Sequence, residues 1–179
     1  GVNVQVVNGL GVTGKLNGLG NLIVGYQERR TGDLSGRDGP GITVATNNRS
    51  GSHNLVVGKE NNYSKWGGQV VGNRNTISGN FSSVSGGEKN TASGDWSTVG
   101  GGMMNRAGRG CTVSGGYRNK ADVYLSTVSG GGGNTTSNEG STISGGVQNK
   151  ALGLRSTVGG GFQNIAKGDF STVSGGEDR

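Results

Sequence analysis

Along most of the chain one sizeable apolar residue recurs every 14 or 15 positions, set in a short run of alternating polar and apolar residues and followed by glycine. The phrases STVGGGMMN (97–105), STVSGGGGN (126–134) and STVGGGFQN (156–164) are near copies of one another. Anchored on their asparagine, the copies fall at Asn61, Asn75, Asn90, Asn105, Asn119, Asn134, Asn149 and Asn164, with spacings of 14, 15, 15, 14, 15, 15 and 15. Three residues earlier stands Gly58, Gly72, Gly87, Gly102, Gly116, Gly131, Gly146 or Gly161, and a further copy opens at Gly176. Six residues before the asparagine come Leu55, Gln69, Val84, Val99, Val113, Val128, Ile143 and Val158. Two after it come Tyr63, Ile77, Ala92, Ala107, Ala121, Thr136, Ala151 and Ala166. The consensus is S-T-V-S-G-G-x-x-N-x-A-x-G-x-x, and a period of this length kept in phase predicts stacked repeats.

Alternation in S-T-V-S-G predicts a short strand with Val on one face and Thr and Ser on the other. The invariant Gly permits a turn at positive φ. N-x-A then sets Asn and Ala on a common face of a second short strand, and Gly79, Gly94, Gly153 and Gly168 turn the chain again. Two strands and two turns thus close one coil, and the fold class expected is all-β, a parallel β-solenoid of 14–15 residues per coil. Roughly eleven coils at about 4.8 Å each make a rod on the order of 50 Å long. Its interior is thin, so backbone ladders and aligned asparagines must supply much of its stability. The recurring asparagines are read as a structural ladder whose side-chain amides bond to one another along the axis.

The first third is less regular. GNLIVGYQE (20–28) and HNLVVGKEN (53–61) match each other and suggest early coils with larger inward residues, Leu22 and Val24, then Leu55 and Val57. The opening VNVQVV alternates Val2, Val4 and Val6, as a first strand or cap would. RRTGDLSGRDGPG (29–41) is charged and rich in turn formers and reads as an inserted surface loop. The expected organisation is an N-terminal strand or cap with irregular early coils over 1–52, its inserted loop spanning 29–50, and regular solenoid repeats over 53–179.

Composition fits a thin rod better than a sphere. Hydrophobic residues make up 28% and aromatics 5%, far below the roughly 45–50% apolar share of a globular domain. Such a composition also suits a disordered tract, but disorder gives no reason to keep Val, Gly and Asn in phase. The single proline, Pro40, lies outside the repeats, where it removes no ladder donor. The single cysteine, Cys111, stands in the slot filled elsewhere by Ser82, Ser97, Ser126, Ser141, Ser156 and Ser171, which points to neither a disulfide framework nor a metal cluster. No apolar run is long enough to span a bilayer, and no signal-like segment is present. Because the chain starts at Gly1, that absence says nothing of destination.

The formal charge of +6 invites a nucleic-acid reading, and Arg74, Lys89, Arg106, Arg118, Lys120 and Lys150 gather near the asparagine turn. No recognised nucleic-acid motif accompanies them, so they read as a solvated basic edge that keeps stacked strands from aggregating, with no specific nucleic-acid partner.

Catalytic signatures are scarce. His53 is the only histidine, and no G-x-S-x-G elbow supports a Ser-His-Asp arrangement. The glycine runs 100–102 and 130–133 lack the G-K-[ST] of a phosphate-binding loop, and the Asp of calcium-binding nonapeptides does not follow the glycines. Asp95, Glu139 and Asp169 sit in the opposite turn at scattered offsets, unlike a ligand set. The expectation is a non-enzymatic chain with no catalytic residue, metal or cofactor. Two binding surfaces suggest themselves. Thr98, Thr112, Thr127, Thr142, Thr157 and Thr172 should align outside, beside Ser114, Ser129, Ser144 and Ser174, as an array suited to ice or a repetitive polysaccharide. Thr is equally the β-favouring polar residue for a wet sheet face, and Gly100 and Gly159 interrupt the serine file. Tyr117 and Phe162, with the basic edge, offer a surface for anionic glycans on a host or other cell.

The unit resembles the head repeats of trimeric autotransporter adhesins, whose consensus is S-V-A-I-G-x-x-S-x-A-x-G. Gly87, Ala92 and Gly94 align with that pattern, placing Val84 on its Val and Asn90 on its second Ser, and Leu55-Val56-Val57-Gly58 matches V-A-I-G. The resemblance covers roughly 53–179 and implies a left-handed parallel β-roll, three chains side by side, on the bacterial surface. Where the family has Ile, the later coils have Gly86, Gly101, Gly115, Gly130, Gly145, Gly160 and Gly175, and the family's coiled-coil stalk and membrane anchor are absent from this chain. The expected function is a non-enzymatic extracellular structural module of a bacterial surface fibre or adhesin. Its first partner is itself, in an end-to-end filament or a side-by-side trimer. STVSGGEDR leaves an open coil edge fringed by Glu177, Asp178 and Arg179, which another copy, a continuation of the chain or the VNVQVV segment of the next subunit would cover.

Overall fold

A computed structural model describes residues 5–28, 30 and 47–177. The sequence period becomes a parallel β-solenoid of two sheets. One sheet has ten strands, from Leu22–Val24 through Leu55–Lys59 and Gln69–Asn73 to Thr172–Val173, and the other has eight, from Asn62–Tyr63 to Ile165–Ala166. All pairings between these strands are parallel, each strand meeting its counterpart one coil away. The described residues thus hold fewer rungs than the eleven expected. A third seam runs beside them, a single-residue parallel ladder through Asn73, Glu88, Met103, Tyr117, Gly132, Val147, Phe162 and Glu177.

Each regular coil sends four side chains inward, two apolar and two polar. In one coil they are Ser97, Val99, Asn105 and Ala107, all buried. Val56, Val70, Val84, Val99, Val113, Val128, Ile143 and Val158 form one interior file, faced by Tyr63, Ile77, Ala92, Ala107, Ala121, Thr136, Ala151 and Ala166. The second file shrinks from Tyr63 through Ile77 to Ala92, so the interior is widest near its start. One Val buried per coil contributes only about 1.5–3 kcal/mol, and the polar pair must therefore be satisfied. Serine does this within its own coil: Ser82, Ser97 and Ser156 donate from Oγ to Gly79 O, Gly94 O and Gly153 O at 2.6–2.8 Å. Cys111 occupies the same slot, fully buried, with Sγ 2.9 Å from Val123 O.

The asparagines act between coils. Asn90 accepts the Asn105 N–H at Oδ1 (2.9 Å) and donates from Nδ2 to Gly86 O (3.1 Å) and Gly102 O (2.8 Å). The same triad of bonds recurs at Asn105, Asn119, Asn134 and Asn149. The file is therefore a ladder of side chain to backbone, not of amide to amide as the sequence suggested. A backbone N–H sits where the next amide would have to donate.

Glycine after the first strand has two jobs. At Gly116 φ is +89°, and a Cβ there would lie 2.1 Å from Gly131 O in the next coil. Positive φ makes the turn, and the missing side chain lets neighbouring coils approach.

The early coils correct the register. Val56 pairs with Val70, and Val70 with Val84, while Leu55 pairs with Gln69 and Gln69 with Ser83. The inward residue is Val56, fully buried, and Leu22, Val24 and Leu55 face outward. Val57 is half-buried on that outer side. Later coils carry one more residue between the inward Val and the invariant Gly, so counting back from Asn mis-phases the earlier ones by one and flips the face. The extra residue is the glycine at 86, 101, 115, 130, 145 or 160, where a Cβ would meet nothing within 4 Å. These glycines are outward bulges and not vacated core positions.

The described part of the opening segment is not a strand: Val6 and Val7 are exposed, and the first strand is Leu22–Val24. Val2, Val4, Pro40, Asp178, Arg179 and almost all of the 29–41 loop lie outside the described residues. Arg30 of that loop is described. Its guanidinium donates to Glu60 O, Arg74 O, Asn75 O and Thr76 Oγ1 at 2.7–3.0 Å.

Candidate functional site

The rod presents long files of side chains, and each file is a candidate surface. On the ten-stranded sheet the outer file is threonine: Thr98, Thr112, Thr127, Thr142, Thr157 and Thr172 are paired in register from coil to coil. All but Thr172, which is exposed, are half-buried. Ser114, Ser129, Ser144 and Ser174 are exposed beside them. At Gly100 and Gly159 a Cβ would lie 2.3 and 2.2 Å from Ser114 O and Ser174 O, so packing between coils enforces the breaks in the serine file.

The basic edge is partly neutralised. Arg74 pairs with Glu60 (2.9 Å), Lys89 with Glu88 (3.2 Å), and Arg106 and Lys120 share Asp122 (2.8 and 3.1 Å). Arg118 lies over the Tyr117 ring at 5.0 Å. Where Gly133 interrupts the long side chains of this edge, a shallow hollow of about 290 Å³ opens, lined by Gly133, Gln148, Lys150, Gln163 and Ile165. Met103, Tyr117, Val147 and Phe162 form an exposed apolar file along the third seam.

The opposite turn holds an order that counting along the chain missed. Asn80, Asp95, Arg109, Tyr124, Glu139, Leu154 and Asp169 occupy one slot, each two residues before the inward Ser or Cys. The acids there are in register, not scattered, and two of them bind backbone: Asp95 Oδ1 accepts the Asn80 N–H at 2.7 Å and Asp169 Oδ1 the Leu154 N–H at 2.8 Å. The next slot carries Phe81, Trp96, Gly110, Leu125, Gly140, Arg155 and Phe170, all at φ between 48° and 63°. Alignment on the inward Ser, in place of Asn, would have revealed both files. His53 lies in a turn at φ 56°, beside a small hollow with Asn8, Val12 and Thr13. Among the described residues no group of three or more His, Cys, Asp or Glu is placed to hold a metal, and no helix is long and apolar enough to cross a membrane.

Stacked short strands, a glycine at each tight turn and outward files of side chains define a parallel β-solenoid. Residues 156–168, one coil of the stack, match the family model described as the ubiquitous surface protein adhesin repeat, a repeat of trimeric autotransporter adhesins. No curated protein matches the chain.

Proposed function

We propose that this chain is a non-enzymatic structural module of a bacterial surface fibre or adhesin, displayed outside the cell and assembled with copies of itself. The observation that carries the reading is the inter-coil asparagine ladder in a solenoid whose coil at 156–168 matches an adhesin repeat. Such a ladder holds an extended shape without a thick core, which is what a spacer or display element requires. The ladder is also directional: every oxygen of the file from Asn61 to Asn149 receives the next coil's N–H. Electron microscopy of the purified chain, with sedimentation analysis, tests the assembly: rods joined end to end or bundled in threes support it, and monodisperse single rods at all concentrations refute it.

A second reading rests on the in-register threonine file, a regular polar array with one hydroxyl per coil. It would serve as a binding face for ice or a repetitive glycan. Thermal hysteresis and glycan retention measured on Thr127→Val and Thr142→Val variants check it.

A further inference from the structure

The turn opposite the asparagine ladder gathers exposed aromatic residues. Trp66 and Phe81 meet edge to face with ring centroids 4.4 Å apart, and Trp96 follows in the next coil, 56% exposed. One coil further the slot of Phe81 and Trp96 falls to Gly110, where a Cβ would first meet Leu125 and Tyr124 at 3.2 and 3.4 Å. Arg109 stands beside this gap. Its guanidinium carbon is 5.7 Å from the Trp96 ring centroid and 5.5 Å from that of Tyr124. The backbone on either side is fixed: Gly110 N–H donates to Asp95 O at 2.9 Å, and Leu125 N–H to Arg109 O at 3.4 Å. The guanidinium has no hydrogen bond or ion pair within the described residues. Asp95, one coil below in the same file, spends Oδ1 on the Asn80 N–H, and Glu139 lies two coils above.

A guanidinium held against two rings has already lost much of its side-chain freedom, yet keeps its planar donor fork unengaged. That fork fits a carboxylate through two parallel bonds, which an ammonium cannot reproduce. Exposed aromatic rings offer the flat apolar surface against which a pyranose ring packs. Coils rise by about 4.8 Å, close to one pyranose unit in an extended glycan, so aromatic groups on successive coils meet successive sugars. We propose that Trp96, Arg109 and Tyr124 form a binding site for an acidic saccharide, its carboxylate on Arg109 and its ring against Trp96. This goes beyond the structural role, and its failure leaves the assembly untouched, because assembly is read by microscopy.

Trp66→Phe makes Trp96 the only tryptophan of the chain and its emission a local reporter. In that background oligogalacturonate is titrated against a neutral oligogalactan of equal length, by fluorescence and calorimetry, at low and at physiological salt. The expected result is saturable perturbation of Trp96 by the acidic oligomer, weakened about tenfold or more by Arg109→Gln and by Arg109→Lys. Trp96→Leu, followed by calorimetry, weakens it similarly, while Lys167→Gln, an exposed cation several coils away and outside the basic edge, leaves it unchanged. Thermal melts of each variant establish that the fold is retained. Absence of saturable binding at low salt overturns the proposal, as does equal affinity for the neutral oligomer. Equal loss in Lys167→Gln would show diffuse charge attraction instead, and equal affinity for poly-glutamate would replace the saccharide with an acidic peptide; either overturns it.

Discussion

Asn105 Oδ1 accepts the backbone N–H of Asn119 at 2.9 Å, one coil later. In this single bond an interior polar side chain reinforces the strand pairing between neighbouring coils, and its repetition through the rod ties each coil to the next.

Asn119→Ala should therefore be costly out of proportion to its size. It strips the acceptor from the buried Asn134 N–H and the donor from Gly115 O and Gly131 O. A loss of about 2–4 kcal/mol is expected from one stranded donor and two weakened acceptors. Thr127→Ala, on the outer face, should change stability by about 0.5 kcal/mol or less. Chemical denaturation of the two variants makes the comparison.

Adjacent glycines should respond oppositely to the same change. Gly115→Ala places a Cβ in open space, whereas Gly116→Ala forces one to within 2.1 Å of Gly131 O at φ +89°. The first should be neutral within about 0.5 kcal/mol and the second should cost about 3 kcal/mol or more. Thermal melts separate them.

Cys111→Ser should stabilise. The Cys111 slot is otherwise serine, and Ser97 Oγ donates to Gly94 O at 2.6 Å where Cys111 Sγ makes longer contacts, 3.4 Å to Arg109 O. Restoring the hydroxyl should place it on Gly108 O and add about 0.5–1 kcal/mol. A lower denaturation midpoint in the variant contradicts this.

Tyr63 gives the rod an alkaline limit. Burial raises its phenol above the usual tyrosine value, against a smaller opposing effect of Arg49. Because the folded value is raised, the stabilisation is complete below about pH 10, the unfolded value, and is lost as pH climbs through the folded one. Tyr63→Phe removes only this dependence. Melting temperatures of wild type and variant should run parallel below about pH 10, and the wild type's should fall relative to the variant's above it, so parallel curves throughout would discount the effect.

What the chain carries in its own order is the period and the cast of the interior. Ser, Val, Asn and Ala recur in phase, and a side chain that must repeat every coil can be read from spacing alone. The early register was not legible, because in Leu55-Val56-Val57 either alternate choice places apolar residues inside. Pairing with Gln69, Val70 and Val71 settled it, since Gln69 is the polar member that has to face out. The aromatic and arginine cluster was hidden for a related reason. Trp96, Arg109 and Tyr124 share no motif and lie 13 and 15 residues apart. Only the stacking of coils brings them together, because distance along the axis is set by backbone pairing while distance along the chain is set by the circumference of a coil.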